Sequence, residues 1–210
     1  MDKLELKKIG ILGGTFDPPH IAHLRIAEEV RETYQLERIW FIPAGLPPHK
    51  KEEFISSFED RFKMVELAIE GNSYFEVLDI ERDIKPSYTL KTLQKLKENY
   101  SESEFFLIIG WDSFCEFETW WNYERFLDYT NIVVVPRRVK TWEEIQAYFY
   151  NKIRELWFEE KAIKKVFFCP TVSFDISSSL IRKLTKQGKS IRYLVPEKVY
   201  FYIKEKRLYK

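Results

Sequence analysis

Hydrophobic and polar positions follow two alternating patterns along the chain. Short, continuous apolar runs, typical of buried parallel strands, occur at 9–12, 38–43, 74–80, 105–109, 131–136 and 166–169. Between most of these runs lie segments whose apolar residues recur every three or four positions, the pattern of helices that pack one face on a sheet. Such an alternation of strands and helices predicts an α/β protein with a parallel sheet.

The predicted fold is a single Rossmann-like, doubly wound parallel sheet of five or six strands, with helices on both faces and a C-terminal helical segment. We expect one domain over 1–210, with the chemical motifs in 9–182 and the C-terminal helices in 178–206. Residues 142–165 read as one long amphipathic helix, which either covers the sheet or takes part in a contact between subunits, as in a homo-oligomer.

Charge and composition narrow the classes of function. Lys and Arg number 34 and Asp and Glu 33, so there is no excess positive charge of the kind that nucleic-acid-binding proteins use. No apolar run approaches the roughly 18 residues that a membrane span needs. The start of the chain alternates in charge and lacks the apolar region of a signal peptide. We therefore expect a cytoplasmic protein that binds a small anion locally, without nucleic acid or membrane.

The stretch from Ile9 to His23 carries the clearest chemical signal. An apolar strand leads into Gly13-Gly14-Thr15, then into a turn with Pro18-Pro19, and a helical pattern begins close to His20. A strand that passes through glycines into a helix N-terminus directs backbone N–H groups and the helix dipole at an anion. Phosphate is the ligand class that this arrangement predicts.

Two of the three histidines, His20 and His23, lie in this stretch. Residues three apart on a helix share a face, so both imidazoles should point toward the anion. Imidazole can donate a hydrogen bond to a phosphoryl oxygen and adds charge when protonated, which suits phosphoryl or nucleotidyl transfer. The alternative is that they are ordinary polar residues of a first helical turn.

Further candidate residues follow the carboxyl ends of other predicted strands, where ligands of open α/β sheets bind. Lys50 lies in a proline-rich loop after the second strand and could reach phosphate. Ser87, Tyr88 and Thr89 follow Pro86 at a predicted helix start capped by Ser87, and their free N–H groups would form a second anion site.

Three more segments complete the list of candidates. Asp112, after Gly110, would accept a hydrogen bond from a ribose hydroxyl or cap the following short helix. The aromatic cluster around Trp120-Trp121 would, by itself, be read as core. Ser177-Ser178 at a helix start, together with Arg182, offers hydroxyl, backbone and guanidinium donors to phosphate, unless it is only a capped helix.

The segment Gly13-Gly14-Thr15-Phe16-Asp17-Pro18-Pro19-His20-x-x-His23 and the later Ile176-Ser177-Ser178-x-x-Ile181-Arg182 resemble motifs of the bacterial nicotinate-nucleotide adenylyltransferases, which belong to the H-x-G-H nucleotidyltransferase superfamily. The resemblance extends from about Ile9 to Ile203. It implies transfer of the adenylyl group of ATP to nicotinate mononucleotide, with Mg²⁺ accompanying ATP and no protein-held metal.

The resemblance also implies roles for individual residues. The implied catalytic residues are His20, His23 and Arg182. The implied ATP site comprises Gly13, Gly14, Thr15, Phe16, His20, His23, Lys50, Ser177, Ser178 and Arg182. The implied nicotinate-nucleotide site comprises Ser87, Tyr88, Thr89, Gly110, Asp112, Trp120 and Trp121, in which Trp120 stacks on the pyridine ring. Arg61 matches a family pattern as well, and we expect its role to be chiefly structural.

The sequence departs from the family pattern in three places. Ala22 stands where the superfamily has glycine, and Arg137-Arg138 replaces a turn with proline and glycine. Trp111 stands where a small residue is common, so we expect it to reshape the pocket wall.

Alternatives to the main interpretation remain. The amidated nucleotide could be preferred or accepted equally, or the acceptor could be phosphopantetheine or a sugar or glycerol phosphate. A nucleotide-binding regulator without catalysis is a further alternative from a different class.

Overall fold

The computed structural model describes residues 7–46, 55–136, 142–157, 160–172 and 174–210. The strands are β1 (Lys7–Gly14), β2 (Arg38–Pro43), β3 (Phe75–Val77), β4 (Ser103–Gly110), β5 (Asn131–Val135) and β6 (Val166–Phe168). The helices are α1 (Ile21–Tyr34), α2 (Phe58–Ile69), α3 (Thr89–Asn99), α4 (Trp111–Cys115), α5 (Trp142–Trp157), α6 (Glu160–Ile163), α7 (Ser178–Lys186) and α8 (Glu197–Glu205). Two 3₁₀ turns follow α4, at Phe117–Thr119 and Tyr123–Asp128.

Within these described residues the strands form one sheet of six in the order β3-β2-β1-β4-β5-β6. Every neighbouring pair is parallel. The chain builds outward from β1 in one direction and, after β3, crosses over to continue from β4 in the other. The predicted doubly wound fold is therefore confirmed, and its switch point lies between β1 and β4.

Alternation along the strands places apolar side chains on both faces of the sheet. On β4, Phe105, Leu107 and Ile109 pack with α3, α5 and the 3₁₀ turns, while Phe106 and Ile108 pack with α1 and α2. The segment 142–165 thus covers the sheet; its described residues form α5 and α6, and residues 158–159 between them lie outside the described residues.

A third apolar cluster joins α7 and α8 to α2. Met64 and Ala68 of α2 pack against Ile181 of α7 and against Val199 and Ile203 of α8. The C-terminal helices are therefore packed beside the segments that carry the first motif. Among the described residues no helix is both long and apolar enough to cross a membrane; the cytoplasmic location and the single domain stay predictions.

Two local predictions were wrong in detail. The third strand was expected over 74–80 and ends at Val77, since beyond Leu78 the chain turns, with the Arg82 N–H donating to the Asp79 carbonyl. Helix α3 is capped by Tyr88 instead of Ser87. The reason is that the Ser87 N–H donates to the Leu46 carbonyl at 2.9 Å, which holds Ser87 in the preceding loop.

Candidate active site

A cleft of about 720 Å³ opens at the carboxyl ends of the central strands. Its walls come from the glycines at the end of β1, Thr15 after them, the end of β2, the start of α3, and the segment from α4 through the aromatic 3₁₀ turns. Predicted site residues that line it are Gly13, Gly14, Thr15, Ser87, Tyr88, Thr89, Asp112, Trp120 and Trp121. Residues far apart in sequence therefore meet at one cleft, at the switch point of the sheet.

The two histidines lie side by side at the start of α1. His20 is the N-cap residue and is 2% exposed, and its ring stacks on that of His23 with centroids 3.7 Å apart. The His20 N–H donates to Nδ1 of His23 at 3.2 Å. Since Nδ1 of His23 accepts a hydrogen bond, that imidazole, when neutral, carries its proton on Nε2 and can donate from there.

Helix α7 is tied directly to the turn before His20. The Ser178 hydroxyl donates to the Pro18 carbonyl at 2.8 Å, and Nη1 of Arg182 donates to the Asp17 carbonyl at 2.7 Å. Ser177 caps α7, because its hydroxyl accepts a hydrogen bond from the Leu180 N–H at 3.1 Å. For Ser177 the simple helix cap, which the sequence left open as an alternative to phosphate binding, is therefore observed. The two motifs thus form one unit although they are far apart in the sequence.

Arg61 holds the loops that border the cleft. Its side chain, 1% exposed, donates to the carbonyls of Thr15 (3.0 Å), Ala44 (2.7 Å), Gly45 (3.0 Å) and Ser56 (3.1 Å). Burial lowers its pKa, although an arginine with such a high ordinary pKa stays charged at neutral pH. These contacts agree with the structural role expected for Arg61. They also show what it holds, namely the backbone of the loops that begin after β1 and β2.

Glu81 is a cleft residue that sequence reasoning missed. It is 6% exposed, lines the cleft, and accepts a hydrogen bond from the Thr92 hydroxyl at 2.6 Å. Burial raises the pKa of this carboxyl, and the hydrogen bond from Thr92 opposes that rise. The sequence offered no distinguishing signal, because Glu81 stands between Asp79 and Asp83 in a charged stretch that looks solvated.

The predicted nicotinate-nucleotide residues form one end of the cleft. The backbone N–H groups of Ser87, Tyr88 and Thr89 were all expected to be free. That of Ser87 donates to the Leu46 carbonyl, while those of Tyr88 and Thr89 have no acceptor among the described residues. Trp120 packs on Phe117, with ring centroids 5.0 Å apart. Trp121, 42% exposed, stands beside Tyr88 at 5.3 Å between centroids, so it is the more accessible of the two indoles.

Several predicted site residues do not line the cleft, among them His20, His23, Ser177, Ser178 and Arg182. Phe16 is 2% exposed and packs edge-on against His23 and against Phe41, so its side chain belongs to the core. Gly110 ends β4 without lining the cleft. The expectation for Trp111 was wrong, because its ring packs against Tyr148, Phe114 and Phe168. Lys50 and Arg137-Arg138 lie outside the described residues.

Across the described residues no three His, Cys, Asp or Glu side chains form a group that could hold a metal ion. Of the two cysteines, Cys169 is buried and Cys115 is partly buried.

Known proteins are similar to this chain in sequence and in fold. The cytidylyltransferase-like family model matches residues 11–184. A protein of Geotalea daltonii described as a "probable nicotinate-nucleotide adenylyltransferase" is 46% identical, over 96% of this chain and 98% of its own length. The chain belongs to the nicotinate-nucleotide adenylyltransferase family. A family member with the same description from Geobacter sulfurreducens is 45% identical over the same shares of each chain.

The fold of this family member also matches that of solved structures. The nicotinic acid mononucleotide adenylyltransferase of Plasmodium falciparum complexed with NaAD has a TM-score of 0.77, covers 97% of each chain and is 22% identical. At that identity the likeness concerns the fold. The resemblance inferred from the two motifs is confirmed by the closer sequence relatives.

Proposed function

We propose that the chain transfers the adenylyl group of ATP to nicotinate mononucleotide and releases pyrophosphate, forming nicotinate adenine dinucleotide in NAD biosynthesis. The observation that carries this proposal is identity of 46% to a relative of that name over nearly the full length of both chains. The cleft supports this proposal, because the glycine backbone at the end of β1 and helix N-termini meet there. Both features suit the phosphate groups that the two substrates carry.

The reaction requires no covalent intermediate with the protein, because one substrate attacks the other directly. A phosphate oxygen of nicotinate mononucleotide attacks the α-phosphorus of ATP, a new phosphoanhydride bond forms, and the bond to the bridging oxygen breaks, so that pyrophosphate leaves with the electron pair. Catalysis then consists of aligning the two substrates and of stabilising negative charge on the phosphates.

We assign charge stabilisation to His20, His23 and Arg182. The stacked imidazoles, with the His23 Nδ1 already accepting a hydrogen bond, support donation from His23 toward phosphate. Arg182 lies at the same turn, with one guanidinium nitrogen on the Asp17 carbonyl and another 3.4 Å from the Ser179 hydroxyl. Lys50 remains a proposed phosphate contact, as do the backbone groups of Gly13-Gly14-Thr15.

We assign the pyridine nucleotide to the end of the cleft near Tyr88 and Thr89. Two N–H groups without an acceptor suit a nicotinate carboxylate, whereas a carboxamide would require an acceptor as well. Trp120 or Trp121 would supply the aromatic surface for the ring.

Mg²⁺ is proposed as the partner of ATP. It binds phosphate oxygens and water readily and keeps octahedral geometry with few protein ligands. Its contribution would be to neutralise charge on the phosphates, alongside the cationic and N–H groups of the chain.

The test is the initial rate of pyrophosphate release with ATP and Mg²⁺, comparing nicotinate mononucleotide with nicotinamide mononucleotide at equal concentration. We expect a rate ratio of about 100 or more in favour of the acid, or roughly 3 kcal/mol of discrimination. Comparable rates would indicate dual specificity. Absence of release with either nucleotide would refute the proposal and direct attention to phosphopantetheine and sugar or glycerol phosphates.

A further inference from the structure

A buried carboxylate lies at the centre of the turn that carries the first motif. Asp17 is 1% exposed, and its Oδ1 accepts a hydrogen bond from the Tyr209 hydroxyl at 2.6 Å. Its Oδ2 accepts from the Ser56 N–H at 3.3 Å. A buried carboxylate needs such partners because an unpaired charge in the interior is costly.

Tyr209 reaches Asp17 from the segment that follows α8, beyond the part of the chain covered by the family motifs. This segment is held in place, since the Leu208 N–H donates to the Ile203 carbonyl at 3.1 Å. Leu208 and Tyr209 pack against the apolar cluster of α2, α7 and α8. The phenol therefore approaches Asp17 from an anchored position.

The same turn is also held through its backbone. The Asp17 carbonyl accepts from Arg182, and the next carbonyl, that of Pro18, accepts from Ser178. Two residues further along is the N-cap His20. Displacement of Asp17 would therefore move both the partner of Arg182 and the start of the helix that orients the histidines.

We propose that Tyr209 is a positioning residue of the active site, which acts through its hydrogen bond to Asp17 to hold the turn between Arg182 and His20. This inference rests on the proposed adenylyl transfer. The hydroxyl is well suited to the role because burial and the nearby Asp17 carboxylate raise the pKa of Tyr209, so it stays a donor at neutral pH.

The test compares Tyr209→Phe with Tyr202→Phe. Tyr202 is the matched control, since its hydroxyl also donates to a carboxylate at 2.8 Å, but to Asp60 in the first turn of α2 and not to Asp17. We expect Tyr209→Phe to lower kcat about tenfold, since small misplacements of catalytic groups are costly, with KM for ATP changed less than about twofold. Melting temperatures of the two variants should agree within about 3 °C.

Equal kcat values for the two variants would overturn the proposal. So would a loss of activity in Tyr209→Phe that is matched by a correspondingly lower melting temperature, because the hydroxyl would then only stabilise the fold. The second measurement is a double-mutant cycle with Asp17→Ala, which removes the oxygen that accepts from Tyr209. The effect of Tyr209→Phe on kcat should shrink to about twofold in that background, and an undiminished effect would contradict action through Asp17.

Failure of the proposed adenylyl transfer can be distinguished from failure of the proposed role of Tyr209. If the wild-type chain releases no pyrophosphate with any acceptor, the adenylyl-transfer proposal fails, and with it a positioning role in that reaction. The hydrogen bond between Tyr209 and Asp17 can still be tested, because the same double-mutant cycle can be carried out with the free energy of unfolding as the measured quantity. Additive effects of Tyr209→Phe and Asp17→Ala on the free energy of unfolding would refute the contact.

Discussion

Arg61→Lys tests whether the buried guanidinium holds the ligand loops together. Arg61 makes four hydrogen bonds from three nitrogens to carbonyls of Thr15, Ala44, Gly45 and Ser56. A lysine ammonium keeps the charge but concentrates its donors at one point, so it can satisfy about two of the carbonyls. Each lost bond to a charged group costs about 1.5 kcal/mol, giving roughly 3 kcal/mol in total.

The effect is large enough to measure by thermal unfolding. For a chain of this size, 1 kcal/mol corresponds to about 2–4 °C, so the melting temperature of Arg61→Lys should fall by about 6–12 °C. The matched control is Arg82→Lys, because both guanidinium groups lie over the Phe58 ring. Arg82 is 39% exposed and pairs with Glu59 and Asp79.

Exposed ion pairs of this kind contribute about 0–1 kcal/mol, so Arg82→Lys should shift the melting temperature by less than about 3 °C. Equal shifts in the two variants would refute the reasoning that burial and multiple carbonyl contacts make Arg61 important. A further expectation is a lower kcat/KM in Arg61→Lys at a temperature where the variant is folded, since both loops border the cleft.

Three other variants give independent tests. In a denaturant titration, Gly45→Ala should lower the free energy of unfolding by about 1–3 kcal/mol, because its Cβ would collide with the backbone oxygens of Glu81 and Ile84. Gly110→Ala is the control: its Cβ would meet no atom within 4 Å, so the variant should lose about 0.5 kcal/mol or less. Glu81 has a folded-state pKa raised above its ordinary 4.5, so the folded state binds more protons and stability falls as pH rises from 4.5 through the folded pKa. Glu81→Gln should remove that loss, and parallel stability curves for both proteins would contradict it. His23→Ala should lower turnover by about 100-fold with far less change in ATP affinity, whereas unchanged turnover would exclude His23 from the mechanism.

Elements whose signals are local could be predicted from the sequence. The second strand was predicted with its observed bounds, Arg38–Pro43, and Ser177 was placed at a helix start, where it caps α7. The end of a continuous apolar run and a side chain that bonds to its own helix both depend only on neighbouring residues. The same locality explains why the helix start at His20 was found without knowing the sheet order, whereas Gly13 and Gly14, expected after the strand, belong to β1 itself.

The tertiary structure decided which polar side chains became buried and what they contact. Arg61 reaches across 46 residues to Thr15, Arg182 across 165 to Asp17, and Tyr209 across 192 to Asp17. Trp111 and Trp121 are both aromatic residues near the end of β4, yet one packs in the core and the other stands exposed at the cleft.

The sequence by itself determined the family, the order of strands and helices and the residues capable of phosphate chemistry, because those depend on residue type and short-range spacing. The tertiary structure alone decided that Glu81 enters the cleft, that Phe16 leaves it, and that Tyr209 supports Asp17. Those outcomes depend on how strands and helices distant in sequence pack, since burial and hydrogen bonding are determined by spatial neighbours.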